Sequence, residues 1–271
     1  MLNDGIRFFD LRFAFNPTNS TLVFWHSEAL QSETATVPDV LFAFYKWLDD
    51  HPTETLLLSF MYESSTTAWA HNNAAVQAQL FAALTSDAAK RYIDQTHNAL
   101  PTLGAARGKI ILLRRFVLDQ LNSTYEAALP GLSFPPSAWL DDNRDFSITY
   151  NPSHNLSAYI EDYYEPDDVP AGLGAATNIA AKLNATAAHL QKAASGVAPD
   201  GLFITFSSAE RDADEPAVYP KIMALGNGTD VPGVNQQLVP VIQGLKGKRL
   251  GVVVLDFFEM PGTLVPAILG I

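Results

Sequence analysis

Alternation of apolar and polar positions predicts two short strands close to the N-terminus. In residues 6–13, IRFFDLRF, it puts Asp10 and Arg12 on the same face as apolar residues, and in residues 22–26, LVFWH, it does the same for His26. Each strand is apolar until its C-terminal end, where a charged or titratable side chain appears. Burying such a group is costly unless it is paired or used in chemistry. Asp10, Arg12 and His26 are therefore the first candidate functional residues.

The same periodicities predict five further strands, separated by helices or long connections. The predicted strands are residues 6–13, 22–26, 55–62, 109–115, 158–163, 202–207 and 249–256, and the main predicted helices are residues 38–50, 73–84, 88–93, 173–194 and 234–245. Strands that alternate with helices form a parallel sheet. The predicted fold class is α/β, an irregular TIM-type (β/α) barrel with seven strands present and the first strand missing.

The length of 271 residues fits a single domain, since α/β barrels of about 250 residues are single domains. We predict one barrel domain over residues 1–271 that is incomplete at its N-terminus. Residues 117–157 are long, contain proline and are weakly periodic. They are expected to form an excursion over the mouth of the barrel rather than a core element.

Composition excludes several classes of partner. The net charge of −12 and the pI of about 4.8 argue against nucleic acid and against electrostatic binding to anionic membranes. The sequence has no apolar window of about 20 residues that would span a bilayer. It has no cysteine, which excludes disulfides and thiolate zinc sites.

Five N-glycosylation sequons indicate a secreted glycoprotein, although residues 1–20 hold no signal peptide. Their asparagines are Asn19, Asn122, Asn155, Asn184 and Asn227.

Residues suited to catalysis or binding close six of the seven predicted strands, at the end of the barrel where active sites are built. They are Asp10 and Arg12, His26, Glu63, Arg115, Asp162 and Tyr164, and Asp256. A guanidinium binds phosphate bidentately and stays charged. Histidine can pass a proton to a leaving oxygen near neutral pH. Two arginines beside a histidine and carboxylates therefore favour phosphodiester cleavage.

Six segments, in this order and spacing, resemble the X-domain barrel of phosphatidylinositol-specific phospholipase C and its secreted phospholipase C-like phosphodiesterase relatives. They are GIRFFDLR at 5–12, the strand ending in His26, HPTETLLLSF at 51–60, KIILLRRF at 109–116, YIEDYYE at 159–165 and VVVLDFFE at 252–259. The resemblance covers nearly the whole chain. It implies a phosphoric diester hydrolase or lyase that acts on a phosphoinositide or a related phosphodiester.

The resemblance implies catalytic roles for three residues, and Asp10 is a further candidate. His26 matches the general acid that protonates the leaving group, and Arg12 matches the arginine that binds the phosphate in metal-independent members. Asp256 matches the carboxylate that orients the general-base histidine. Asp10 is expected to hold Arg12 in place.

Three further residues are implied to bind the substrate. Arg115, Asp162 and Tyr164 match residues that hold the inositol ring by hydrogen bonds and stacking. Members of the family attack phosphorus with the inositol 2-hydroxyl, giving a cyclic phosphate and diacylglycerol. Met61 stands where bacterial members carry a basic residue, which leaves the head group open.

The chemistry is expected to need no metal and no other cofactor. Hard cations need several oxygen ligands, and in the calcium-dependent relatives carboxylates stand at the positions of Arg12 and Met61. A monomer is expected once the chain is complete.

The general-base histidine of the family closes the first barrel strand, which would precede Met1, so the chain as given is expected to be nearly inactive. Two alternatives remain open: a catalytically dead protein that binds phosphate esters, and a barrel glycosidase that uses Asp162 and Asp256. Of the remaining histidines, His51 is expected to cap a helix. The others, expected at the surface, are His71, His97, His154 and His189.

Overall fold

The computed structural model of the chain describes residues 1–63, 71–228 and 230–271. The chain divides into two compact units. The first unit is Arg7–Trp139, and the second combines Met1–Ile6 with Leu140–Ile271. Each unit has its own β-sheet, of six strands in the first and four in the second, counted over the described residues.

The first unit contains six strands and five α-helices within its described residues. They are β1 (Phe8–Phe15), β2 (Leu22–His26), β3 (Ala29–Leu30), α1 (Val37–Asp50), β4 (Thr55–Tyr62), α2 (Ala74–Thr85), α3 (Asp87–Tyr92), α4 (Leu103–Ala106), β5 (Lys109–Arg115), α5 (Ser123–Ala128) and β6 (Leu132–Ser133). The sheet has the strand order β3-β2-β1-β4-β5-β6.

The centre of this sheet is parallel, as the alternation of strands and helices predicts. β1 pairs with β4, and β4 pairs with β5, in parallel register. Successive residues of β4 point to opposite faces. Leu56, Leu58 and Phe60 are completely buried on one face, whereas Ser59 and Met61 lie on the other. One face of β4 therefore packs in the apolar core, and its other face is available to polar side chains of the neighbouring strands.

The prediction of parallel pairing is wrong for β2. β2 runs antiparallel to β1, with Phe13 opposite Phe24 and Phe15 opposite Leu22. The connection between the two strands, residues 16–21, is six residues long. A parallel crossover needs about a dozen residues or more, so this connection can only make a hairpin.

α1 begins where the sequence predicts and ends at the predicted cap. The Thr36 side chain accepts a hydrogen bond from Asp39 N–H, and the Asp39 carboxylate accepts one from Thr36 N–H, which is a capping box. Pro38 occupies the first turn, where its missing N–H is not needed. At the other end His51 is the C-cap, as predicted, and its N–H bonds to Trp47 and Leu48 carbonyls.

The second unit contains four strands and four α-helices within its described residues. They are β7 (Phe146–Asn151), β8 (Leu156–Glu161), α6 (Gly174–Ala194), β9 (Leu202–Phe206), α7 (Pro220–Leu225), α8 (Val234–Gly244), β10 (Val252–Val254) and α9 (Leu264–Leu269). The strand order is β10-β9-β8-β7. β8, β9 and β10 are parallel, and β7 is antiparallel to β8. α6 and α8 carry the apolar clusters that pack this unit.

All seven predicted strands are present, as β1, β2, β4, β5, β8, β9 and β10. The stretch 117–157 differs from its prediction, because it contains the core strands β6 and β7 as well as α5. β7 has a clear alternation in which Phe146, Ile148 and Tyr150 are buried and Ser147 and Thr149 are exposed. This stretch is therefore not a simple excursion.

His189 is buried in the second unit, which corrects its predicted surface position. Its Nδ1 lies 2.7 Å from the Thr205 hydroxyl on β9. Burial lowers the pKa of His189 from 6.5 to about 4; Asp145 opposes this effect, while Lys192 and Lys182 add to it. The other three histidines predicted at the surface, His71, His97 and His154, are exposed.

Because His189 stays neutral when folded, we expect acid to destabilise the protein through this residue. Between pH 6.5 and about 4 the unfolded chain binds a proton that the folded chain does not, so the free energy of unfolding falls as the pH falls. The expected loss over this range is about 3 kcal/mol, and His189→Gln should remove it. Urea unfolding of both proteins from pH 7 to 4, with His154→Gln as control, measures the difference. Parallel stability curves for wild type and His189→Gln would contradict the assignment.

Within the described residues, no helix has the length and apolar character needed to cross a membrane.

Candidate functional site

The polar face of the first unit's sheet collects side chains from three neighbouring parallel strands. In one row across the sheet Arg12 of β1 is opposite Met61 of β4, which is opposite Arg115 of β5. Two residues earlier, Asp10 is opposite Ser59. Because side chains two residues apart in a strand share a face, these five residues lie on the same face, towards the C-terminal ends of the strands.

Asp10 is the centre of the hydrogen-bond network on this face. Its Oδ1 accepts from the Ser59 hydroxyl at 2.7 Å and from Arg115 Nη1 at 3.1 Å, and its Oδ2 accepts from Arg12 Nε at 3.4 Å. One carboxylate therefore orients both guanidinium groups. Sequence reasoning identified Asp10 but missed Ser59, whose only sequence signal is a hydroxyl inside the apolar run of β4.

The direction of the Asp10 pKa shift indicates the protonation state of this carboxyl in the network. Burial by itself raises the pKa of this carboxyl. The charges of Arg115 and Arg12, together with hydrogen bonds from Ser59 and Arg12, outweigh burial and lower the pKa below 3.8. Asp10 is thus a firmly ionised anchor and a weak base at neutral pH.

Arg12 is held by two carboxylates but remains accessible. Besides Asp10, its guanidinium contacts Glu63, with Nη1 3.3 Å from Oε2. These two contacts, to Asp10 and to Glu63, are both longer than the strong charged bonds of about 2.7–2.9 Å. The Arg12 side chain is 29% exposed, whereas Glu63 is 5% exposed. A ligand can therefore reach this guanidinium and compete with the two loosely bonded carboxylates.

Arg115 is fixed more tightly than Arg12. Its side chain is 5% exposed, and its guanidinium lies over the ring of Trp139, 3.6 Å from the centroid. A cation over an indole face is attracted by the ring quadrupole. Asp10 and Trp139 together fix the plane of this guanidinium. Trp139 is a second residue that sequence reasoning missed, since nothing in the pattern around it indicates a partner.

His26 is the last residue of β2 and is exposed. The antiparallel ladder pairs Phe24 with Phe13. His26 also pairs with Ala29 across the short β2–β3 hairpin. His26 is therefore an exposed residue at the end of a strand that pairs with the strand of Arg12.

The second unit places Asp162 and Tyr164 directly after β8. Asp162 is buried, and its N–H bonds to the Asn143 carbonyl at 2.9 Å. Tyr164 is half-buried and donates its hydroxyl to Asp141 at 3.2 Å. Burial, followed by the charge of Asp141, raises the pKa of Tyr164, so its hydroxyl stays protonated. The two predicted binding residues are therefore close neighbours at the end of one strand.

Asp256 follows β10 and is half-buried. Its main chain is fixed by a buried asparagine of α8: Asn235 Nδ2 donates to the carbonyls of Asp256 at 2.9 Å, Met260 at 3.0 Å and Phe257 at 3.2 Å. This anchor holds the loop after β10 in place. Phe257 adopts a positive φ of 48°, which shows how sharply the backbone turns there.

In the parts of the chain that the structure describes, no group of three or more histidine or carboxylate side chains could hold a metal ion.

Searches with the sequence find no matching family model and no matching curated protein. Solved structures do match. The chain is similar to a phosphatidylinositol-specific phospholipase C from S. aureus, solved in work on its membrane binding, with a TM-score of 0.72 and 18% identity over 98% of this chain and 80% of that one. It is also similar to the same enzyme containing pentafluoro-Phe, with a TM-score of 0.71 and 19% identity over 97% of this chain and 79% of the other.

The corresponding phospholipase C from Listeria monocytogenes matches with a TM-score of 0.60 and 18% identity, over 98% of this chain and 80% of that chain. These similarities confirm the predicted fold class: the chain has the α/β fold, of the TIM-barrel type, found in bacterial phosphatidylinositol-specific phospholipases C.

Proposed function

We propose that the chain is a phosphoric diester hydrolase or lyase of the phosphatidylinositol-specific phospholipase C type, acting on a phosphoinositide or a related lipid phosphodiester. The observation that carries this proposal is the accessible guanidinium of Arg12, held by Asp10 and Glu63 on the polar face of a parallel sheet. The similarity in fold to bacterial phospholipases C supports it.

Arg12 binds the phosphate in this proposal. The four charged side chains of the site, Asp10, Arg12, Glu63 and Arg115, are formally neutral together, so net charge does not attract the substrate. Recognition instead depends on the N–H donors of Arg12. Their long hydrogen bonds to Asp10 and Glu63 are replaced by shorter hydrogen bonds to phosphate oxygens when substrate binds. Preorganised donors of this kind stabilise charge that grows on the phosphoryl oxygens in the transition state.

His26 is the general acid in this proposal. When the bond between phosphorus and the leaving oxygen breaks, the imidazolium gives that oxygen a proton. The exposure of His26 lets its ring reach a bound substrate, and its place beside the strand of Arg12 supports this role. Asp10 positions Arg12, since its lowered pKa makes it a poor proton acceptor. Asp256 is assigned, through the family resemblance, to orient a general-base histidine.

Arg115, Asp162 and Tyr164 are proposed to bind the polar head group. The fixed guanidinium of Arg115 and the protonated hydroxyl of Tyr164 are hydrogen-bond donors, and the Asp162 carboxylate is an acceptor. Sugar and inositol hydroxyls need both kinds of group. Met61 lies in register between Arg12 and Arg115 and brings no charge to the site.

We propose that this chemistry is independent of metal ions. Two guanidinium groups flank Met61, and their hydrogen-bond donors can stabilise the phosphate charge that a divalent cation would otherwise stabilise. The activity assays here and below use a form of the protein that carries the general-base histidine implied by the family resemblance. Its cleavage of phosphatidylinositol in detergent micelles is expected to be unchanged by EDTA. Phosphatidylcholine and phosphatidylinositol compared in the same assay define the head-group preference. Activity that chelation abolishes and calcium restores would contradict a metal-independent site.

We also propose that the protein is a secreted glycoprotein. All five sequon asparagines are exposed, and Asn19, Asn122 and Asn155 lie in turns or at helix ends. Asn184 lies within α6, and the Thr186 of its sequon is fully buried. The Thr229 of the Asn227 sequon lies outside the described residues.

Expression through a eukaryotic secretory pathway is expected to attach glycans at Asn19, Asn122 and Asn155 in preference to Asn184, since acceptor sites occur in surface loops. Mass spectrometry after enzymatic release of the glycans gives the occupancy of each site. An unmodified secreted protein would contradict the proposal.

The alternative is a protein that binds phosphate esters without cleaving them. It is favoured by the roles of the two carboxylates in the site. Asp10 and Glu63 are both bonded to Arg12, and the lowered pKa of Asp10 makes it a weak base, so neither is well suited to accept a proton from the nucleophile. Calorimetry with glycerophosphoinositol distinguishes the two functions. Binding that Arg12→Met weakens, in a protein that turns over no phosphodiester, identifies the alternative.

A further inference from the structure

A completely buried ion pair lies at the C-terminal end of β8. Lys182 of α6 and Glu161, the last residue of β8, are both 0% exposed, and Nζ lies 2.7 Å from Oε1. Lys182 belongs to a row of buried polar residues on one face of α6, with Asn178, Thr186 and His189. Spacings of three and four residues put this row on the side of the helix that packs against the sheet.

The pair bonds to the main chain of the residue that follows. Lys182 Nζ donates to the Tyr163 carbonyl at 2.6 Å, and Glu161 Oε1 accepts from Tyr163 N–H at 3.1 Å. Residue 163 lies beyond the end of β8, where the strand ladder no longer supplies partners. The two buried side chains therefore supply the hydrogen bonds to the Tyr163 N–H and carbonyl that a neighbouring strand would supply inside a sheet.

Neighbouring residues are fixed in the same manner. Asp162 N–H donates to the Asn143 carbonyl at 2.9 Å, and Glu210 N–H donates to the Tyr164 carbonyl at 2.8 Å. The main chain of residues 162–164 is therefore bonded at every position, with the ion pair at its centre. Asp162 and Tyr164 stand on either side of the residue that the ion pair holds.

Stability alone gives little reason for such a pair. Removing two charges from water is expensive, and well-packed apolar residues of similar volume are often as stabilising or more so. Apolar residues, however, cannot bond to the backbone N–H and carbonyl of Tyr163. What this pair supplies, and apolar packing does not, is a fixed backbone at one position.

We propose that Lys182 and Glu161 are positioning residues that fix Asp162 and Tyr164 for binding the polar head group of the substrate. The proposal rests on the assignment of Asp162 and Tyr164 as head-group ligands in the proposed function. Neither Lys182 nor Glu161 touches the substrate, and both act through the main chain of residues 162–164.

Lys182→Met is the first test, since methionine keeps much of the stem and removes the ammonium group. The KM for phosphatidylinositol is expected to rise about tenfold, with kcat changed less than threefold, because the loss falls on binding. Lys192→Met is the matched control. It lies on the same helix and removes an ammonium group that bonds only to Asp145 among the hydrogen bonds of the described residues. Its kinetics should match wild type.

A double variant separates positioning from stability. Lys182→Met with Glu161→Gln leaves no unpaired buried charge, while the amide oxygen of residue 161 can still accept from Tyr163 N–H. It is expected to recover most of the stability that Lys182→Met alone loses, and to keep the raised KM. A double variant with wild-type stability and wild-type KM would overturn the proposal.

Amide hydrogen exchange provides a readout that does not depend on activity. In the Lys182→Met variant the amides of residues 162–164 should exchange at least tenfold faster, while those of β9 keep their rates. Unchanged exchange overturns positioning. Faster exchange with unchanged KM in an active enzyme also overturns it. If wild type cleaves no phosphodiester, the proposed function fails, and the exchange rates alone decide whether the pair fixes this segment.

Discussion

Replacing His26 with Gln is expected to lower kcat for phosphatidylinositol cleavage by about 10²–10⁴-fold, the usual contribution of a general acid. Glutamine can hydrogen-bond to the leaving oxygen but cannot give it a proton. The KM should change little, because Arg12 and the head-group residues still bind the substrate. Steady-state kinetics in detergent micelles measure both constants.

A substrate with an acidic leaving group makes this test specific for proton transfer. Nitrophenolate leaves without protonation, so a nitrophenyl phosphodiester should lose far less than the natural lipid when His26 is replaced. His154→Gln is the control, because His154 is also exposed but lies in a short 3₁₀ turn of the second unit. Equal losses on both substrates would show that His26 acts in some other way than as an acid.

Arg12→Lys is expected to reduce kcat/KM by about 30- to 1000-fold, which corresponds to about 2–4 kcal/mol of transition-state stabilisation. Lysine keeps the positive charge but loses the planar fork that contacts two oxygens at once. In addition, Asp10 and Glu63 are placed for a guanidinium, with contacts to two different nitrogens of Arg12. An ammonium group at the same position cannot reproduce both.

Arg91→Lys is the matched control for this substitution. Arg91 is 71% exposed and pairs with Asp49, so its replacement should leave turnover and stability almost unchanged. Urea unfolding of Arg12→Lys shows whether any loss of activity arises from unfolding. A folded Arg12→Lys protein with wild-type kcat/KM would contradict the phosphate-binding role and show that Arg12 is purely structural.

The strands of this fold are readable from the sequence, but their pairing is only partly so. β2, β4 and β5 have the predicted bounds because their apolar runs are sharply limited by turns and charged residues. Alternation does not reveal the direction of a neighbouring strand, which is why β2 was expected to run parallel to β1. The length of the connection, residues 16–21, does indicate the direction: it is too short for a parallel crossover, so β2 must run antiparallel to β1.

β6 and β7 were missed for different reasons. β6 has only two residues, Leu132 and Ser133, and no periodicity can be detected in so short a segment. β7 has a full alternation, but the prolines and polar residues around it suggested a loop. His189 was placed at the surface because a lone histidine in a polar helix carries no sign of the sheet against which that helix packs.

The charged residues of the site were predictable because they close apolar strands. Asp10, Arg12 and Arg115 are found together on one face of the sheet, and Glu63 pairs with Arg12. Ser59 and Trp139 escaped prediction because a hydroxyl and an indole become partners only through the register of neighbouring strands and a distant loop.

The proposed action of this sheet face on a lipid phosphodiester is tested most directly by phosphorus-31 NMR. The protein, in the form that carries the implied general-base histidine, is mixed with phosphatidylinositol micelles in EDTA. We expect the lipid resonance to decline while a cyclic inositol phosphate resonance appears, and we expect Arg12→Met to abolish this conversion in a protein that remains folded. A lipid resonance that persists with folded wild-type protein, or conversion at the same rate without Arg12, would contradict it.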